Sequence, residues 1–229
     1  MSQVHKILQI RNAIPAVVLY LVLVAAPVYG QTSVSAQSYN SRANQFLSKG
    51  DAGKALADYD IAITFDPHYA QAYYNRGNAR KEMGDVEGAL MDYNKAIELN
   101  PKFAEAYNNR GNIKKEAKDF DGAIADYSQA IEFNEKFAMA YNNRGTAFYR
   151  KGFFPQALEN YNKAIKLDSQ FALAYWNRGV LFFVESDRVA AKNDFERYVK
   201  LQKDCRISSE EIIRNLEFEL NRKTGRSKN

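Results

Sequence analysis

Four asparagines, Asn75, Asn109, Asn143 and Asn177, stand 34 residues apart, and a second column runs Asn44, Asn78, Asn112, Thr146 and Val180 at the same interval. A carboxamide donates and accepts at once, so a column of them can hold the N–H and C=O groups of an extended chain with little demand on its sequence. The same amides can instead satisfy groups of their own protein. Both readings stand at this level. A third column is ionic: Arg42, Arg76, Arg110, Arg144 and Arg178 are each followed 16 residues later by Asp58, Asp92, Asp126, Asn160 and Asp194. Five cations at a constant offset from four carboxylates predict bridges that tie one helix of a unit to the next.

Other chemistry finds no support in the residue pattern. Cys205 is the only cysteine, and the two histidines, His5 and His68, are far apart, so no ligand cluster for a metal is expected. There is no serine at a nucleophile elbow and no glycine-rich phosphate loop. The sequence therefore predicts a non-enzymatic protein without metal or cofactor, in which Cys205 is either inert or bridges to a second chain.

These columns ride on a repeat. The core Tyr107-Asn108-Asn109-Arg110-Gly111 returns as Tyr73-Tyr74-Asn75-Arg76-Gly77, Tyr141-Asn142-Asn143-Arg144-Gly145 and Tyr175-Trp176-Asn177-Arg178-Gly179, and Ala55-Leu56, Ala89-Leu90, Ala123-Ile124 and Ala157-Leu158 keep step. A fixed period of this size means stacked units around a linear core. Each unit reads as two helices, for example Ala104 to Ala117 and Asp121 to Phe133. Gly50, Gly84 and Gly152 fall where the chain must reverse between them, and Pro67 and Pro101 close the first two units.

On these residues the chain resembles the tetratricopeptide-repeat (TPR) family. Counted from Ala70, Tyr73, Gly77, Ala89, Tyr93, Ala96 and Pro101 occupy the positions where that family carries an aromatic, glycine, alanine, aromatic, alanine and proline. Tyr107, Gly111, Ala123, Tyr127 and Ala130 repeat the pattern, as do Tyr141, Gly145, Ala157, Tyr161 and Ala164. The end repeats depart, with Ala43 in place of glycine in the first and Tyr198 in place of alanine in the fifth. The resemblance implies an all-α, right-handed α-solenoid of five repeats, 36–69, 70–103, 104–137, 138–171 and 172–203. A capping helix is expected over 206–223, where Ser208 and Glu211 stand in capping-box relation and Ile212, Ile213, Leu216 and Leu220 form an apolar stripe. The basic tail 224–229 is expected to be disordered.

The resemblance also implies a concave groove that binds a protein or peptide partner through the first helices. Asn75, Asn78, Asn109, Asn112, Asn143 and Asn177 would line it. Its middle would carry a solvated strip of Lys81, Glu82, Lys115 and Glu116. Its far end would carry an apolar patch of Met139, Tyr149, Leu173, Trp176, Val180, Phe183 and Val184, serving as a pocket for a partner's anchor residue or covered by the cap. The carboxylate clamp known in chaperone-binding members is not expected. Its cation positions hold Asn40, Glu105 and Asn109 in the first three repeats, and Met139 with Asn143 or Leu173 with Asn177 later.

Ahead of the repeats, Lys6 and Arg11 precede an apolar run from Ala13 to Tyr29, with Val28 and Gly30 placed for a cut before Gln31. This reads as a signal peptide over 1–30, and the rival is an uncleaved membrane anchor. Either places the repeats outside the cytosol, as a periplasmic or secreted protein or a membrane-anchored one. Net charge is +5, but Lys6 and Arg11 lie in the leader and Arg222, Lys223, Arg226 and Lys228 in the last eight positions. The repeats are near neutral and nucleic acid is not an expected partner.

Overall fold

The computed structural model describes residues 35–202 and 207–224, with side chains of the last helix described as far as Phe218. The expected leader, Cys205 and the tail beyond residue 224 lie outside the described residues. Among the described residues there are eleven α-helices and no strand. They pair as α1 (Ala36–Ser48) with α2 (Ala52–Phe65), α3 (Ala70–Glu82) with α4 (Val86–Leu99), α5 (Ala104–Glu116) with α6 (Phe120–Phe133), α7 (Ala138–Arg150) with α8 (Phe154–Leu167), and α9 (Ala172–Val184) with α10 (Arg188–Leu201). The eleventh, α11, spans Ser209–Thr224 and packs on α10.

Local chemistry punctuates every unit alike. Second helices begin at an aspartate whose side chain accepts from a first-turn amide: Asp51 from Lys54, Asp85 from Gly88, Asp119 from Gly122 and Asp187 from Ala190. In α8 that place is Phe153, and Pro155 stands in the first turn instead. The loop after each of the first four second helices is held by Asp66, Asn100, Asn134 or Asp168, whose side chain accepts from the amide two residues on. Between paired helices the chain passes through the left-handed region, with φ +84° at Gly84 and 64° at Lys118 in the next repeat.

Packing follows the alanine and glycine pattern. Tyr59, Tyr93, Tyr127, Tyr161 and Phe195 from the second helices are almost completely buried against the first helix of their own repeat. A Cβ at Gly111 would lie 2.8 Å from the Tyr127 ring, so glycine is what lets α5 and α6 close. Buried alanines such as Ala89, Ala106, Ala123 and Ala140 fill the seams between helices and leave the core as a chain of small clusters. Each unit therefore leans on its neighbours, and the described repeats form an all-α solenoid.

The arginine column is the tie between helices. Arg110 donates from Nε to Asp126 Oδ2 at 2.9 Å and from Nη2 to Asp126 Oδ1 at 2.7 Å, while Nη1 reaches Asn94 Oδ1 of the preceding repeat at 2.7 Å. Arg76 holds Asp92 and Asp60 in the same way, and Arg178 holds Asp194 and Asn162. One guanidinium thus links three helices.

The C-terminal helix was expected over 206–223. It starts at Ser209 and runs to Thr224, and the Glu211 amide donates to Ser208 Oγ at 3.2 Å. Ile212 is buried, and Ile213 and Leu216 pack with it over Phe183, Ala191 and Phe195.

Candidate functional site

The asparagines are first of all a ladder between neighbouring first helices. Asn75 Nδ2 donates to Asn40 Oδ1 at 2.9 Å, Asn109 Nδ2 to Asn78 Oδ1 at 2.9 Å, Asn143 Nδ2 to Asn108 Oδ1 at 3.0 Å and Asn177 Nδ2 to Asn142 Oδ1 at 2.9 Å. The second column is engaged from below. Tyr59, Tyr93 and Tyr127 donate their phenol protons to Asn44, Asn78 and Asn112 at 2.6, 2.7 and 2.8 Å. In the fourth repeat Tyr161 reaches Thr146 at 3.5 Å, and in the fifth Phe195 stands below Val180.

Of the two readings open for these amides, the internal one accounts for one N–H of Asn75 and Asn143, two Nδ2 donations from each of Asn109 and Asn177, both lone pairs of Asn78 and one lone pair of Asn44 and Asn112. It does not exhaust them. A primary amide carries two N–H groups and two lone pairs, and Asn112 makes only its bond to Tyr127 among the described residues. Asn143 is 9% exposed and has little left to offer a ligand, whereas Asn75, Asn78, Asn109, Asn112 and Asn177 are half-buried.

Two cavities open along this face. The first, of about 360 Å³, lies over Asn44, Asn75, Asn78 and Asn109, with Lys81 and Glu82 on its rim. The second, of about 340 Å³, is lined by Lys115, Lys118 and Arg150 with Glu116, and by Tyr149, Trp176, Asn177 and Val180. Amide-rich surface thus gives way to a mixed aromatic and cationic one.

The middle strip is not a plain solvated one. Lys81 pairs across the repeat boundary with Glu116 at 3.1 Å. Lys115 is half-buried and in no salt bridge among the described residues, and its pKa is lowered by burial, with Lys81 and Arg150 adding to the effect against Glu116. An unpaired, partly desolvated cation in a concavity attracts an acceptor. Its register, shared with Lys81 and Tyr149, was visible in the sequence; its loss of solvent was not.

The apolar end needs one correction. Phe183 was expected on the groove wall, but it is 4% exposed and lies beneath α11 with Ala191, Phe195 and Ile212. The cap takes this site because its isoleucines continue the register that a sixth first helix would use. Trp176 is half-buried, 5.5 Å from the Phe195 ring and 5.1 Å from that of Tyr198, and only part of it faces the second cavity. Tyr149 packs on Phe154 at 5.6 Å and lines the same cavity. Met139 and Leu173 stay exposed.

Among the described residues, no group of three histidine, cysteine, aspartate or glutamate side chains is placed to hold a metal ion, and no helix is long and apolar enough to cross a membrane.

Comparison with known proteins agrees with this architecture. The family model "TPR repeat" matches residues 43–84, 77–117, 111–152 and 145–183, which is more than half of the chain. No curated protein matches the chain by sequence. Among solved structures, MamA is 23% identical over 76% of this chain and 96% of its own, with a TM-score of 0.62. YrrB, described as a TPR protein with an unusual peptide-binding site, is 25% identical over 72% of this chain and 86% of its own, with a TM-score of 0.58. PilF of Pseudomonas aeruginosa is 19% identical over 74% of this chain and 78% of its own, with a TM-score of 0.69. With its register of tyrosines, glycines and alanines matched across this length and its helices stacked in pairs, the chain belongs to the TPR repeat family.

Proposed function

We propose that this protein is an exported scaffold that binds an extended segment of a partner protein along its concave groove. The observation that carries the reading is the second cavity, which half-buried Lys115 and exposed Arg150 line together with Tyr149 and Trp176. A segment that places an aromatic or aliphatic side chain next to an acidic one would find both an anchor site and a counter-charge there. The free amide capacity of Asn75 and Asn112 would hold the backbone on either side. The peptide-binding description of YrrB, a structure 25% identical to this chain, supports the same use of a TPR face.

Export rests on the apolar run from Ala13 to Tyr29 behind Lys6 and Arg11. The same run favours a second reading, in which the uncleaved segment anchors an assembly component of an envelope complex. Sequencing the N-terminus of the protein made in its own cells separates them: a chain starting at Gln31 supports the free scaffold, and an intact N-terminus supports the anchor.

Groove binding is tested by crosslinking and capture from the extracytoplasmic fraction with wild type, Lys115→Ala, Tyr149→Ala and, as a control on a second helix, Lys95→Ala. The groove variants should release the captured protein and the control should retain it. Retention by all three variants would move the binding surface elsewhere.

A further inference from the structure

The fourth repeat breaks the ionic column and leaves a cationic cavity behind. Arg42, Arg76, Arg110 and Arg178 each grip one carboxylate through Nε and Nη2, with Nη2 on Oδ1 at 2.6 to 2.8 Å. Arg144 meets Asn160 instead. The amide oxygen accepts from Arg144 Nε at 2.9 Å, and its Nδ2 donates to the Gln156 carbonyl at 2.8 Å, which fixes the way the amide faces. Arg144 Nη1 donates to Ser128 Oγ at 3.1 Å, and Nη2 has no acceptor among the described residues. Burial lowers the Arg144 pKa, whereas the partnered Arg42, Arg76 and Arg110 are raised.

Beside this guanidinium lies a cavity of about 440 Å³ whose walls include Tyr141, Glu159, Asn160, Lys163 and Lys166. Arg144 Cζ stands 5.6 Å and Lys163 Nζ 5.8 Å from the centre of the Tyr141 ring, so one aromatic ring gathers two of the cations. None of Arg144, Lys163, Lys166 and Glu159 is in a salt bridge among the described residues, and three cations against one carboxylate leave a formal excess of two positive charges. The site is not part of the groove. At about 100° per residue, Tyr141 and Arg144 project from the opposite side of α7 to Asn143 and Thr146.

We propose that this cavity is a binding site for a phosphate dianion, free or as a phosphate monoester, held by Arg144 Nη2 together with Lys163 and Lys166. The open edge of the guanidinium supplies a directed donor, and the two ammonium groups supply mobile ones that can close on the remaining oxygens. A carboxylate would leave one positive charge uncompensated. The inference is independent of what the groove binds.

The test is thermal unfolding of the full chain in inorganic phosphate, in glycerol 3-phosphate and in acetate, each against sodium chloride at equal ionic strength. Phosphate at roughly tenfold above its Kd should raise the wild-type Tm by about 3 °C or more. Glycerol 3-phosphate exceeding phosphate would identify a monoester as the better ligand, an equal response would show a site that takes either, and a response to phosphate alone would identify the free ion. Asn160→Asp restores an internal carboxylate, so it should raise the Tm without phosphate and lose the phosphate response. The Lys163→Ala/Lys166→Ala variant changes only exposed side chains and should lose the response while keeping its fold. Equal phosphate shifts in wild type and either variant, no shift in wild type, or acetate acting as strongly as phosphate would each overturn the site.

Discussion

Tyr127 donates its phenol proton to Asn112 Oδ1 across 2.8 Å, joining a fully buried ring of α6 to the groove face of α5. The pair recurs in three repeats, and where the ring is Phe195 the amide is Val180. Asn112→Ala should therefore cost on the order of 1–3 kcal/mol, because it strands a buried hydroxyl. Asn112→Val combined with Tyr127→Phe, which copies the fifth repeat, should cost less than the sum of its single changes. Urea unfolding of the four proteins in the cycle measures the coupling. Additive costs would mean the hydrogen bond contributes nothing.

The buried bridge predicts a larger effect. Asp126 is 3% exposed and receives Arg110 at two oxygens and Lys114 at 2.8 Å. Asp126→Ala leaves two partly buried cations without their carboxylate and should destabilise by about 3–5 kcal/mol, seen as a clear fall in Tm. An unchanged melt would reject the bridge as a stabiliser.

Alkaline pH should loosen the core. Burial pushes Tyr59 and Tyr161 from the ordinary value of 10.0 up to about 12, and it raises Tyr93 and Tyr127 as well. Each folded phenol keeps a proton that the unfolded chain has already released, so stability falls as pH rises. Their contribution is complete below pH 10 and is lost through pH 12. Tm measured across that window should decline, and Tyr161→Phe should make the decline shallower. A decline of the same slope in the variant would assign it to other groups.

The helix reversal at Lys118 carries strain that glycine would relieve. Its φ of 64° matches the role of Gly50, Gly84 and Gly152, which hold φ between +80° and +84°. A left-handed lysine costs about 1 kcal/mol, so Lys118→Gly should raise the Tm by roughly 2–4 °C. A lower Tm in the glycine variant would show that chain entropy outweighs the strain.

How far the sequence reached depended on the range of the interaction. The period, the paired helices and the cap were legible because each repeat contacts only its neighbours, and a 34-residue register therefore encodes both helix and stacking. The constant offset of 16 residues likewise pointed to the Arg110–Asp126 bridge, since partners of one register must meet in the same place every time. The pairing of Tyr127 with Asn112 was equally periodic, but two polar residues at one spacing do not declare which groups they satisfy.

What only the tertiary structure decided was how much of each side chain remains available. Whether Asn143 faces a ligand or Asn108, whether Phe183 lines a groove or lies under Ile212, and whether Lys115 keeps its water all depend on surfaces contributed by another helix. The substitution of Asn160 in an acidic column was plain in the sequence. That it leaves Arg144 Nη2 open beside Lys163 and Lys166 followed only from the placed atoms, because hydrogen bonding is directional and burial is a property of the assembled solenoid.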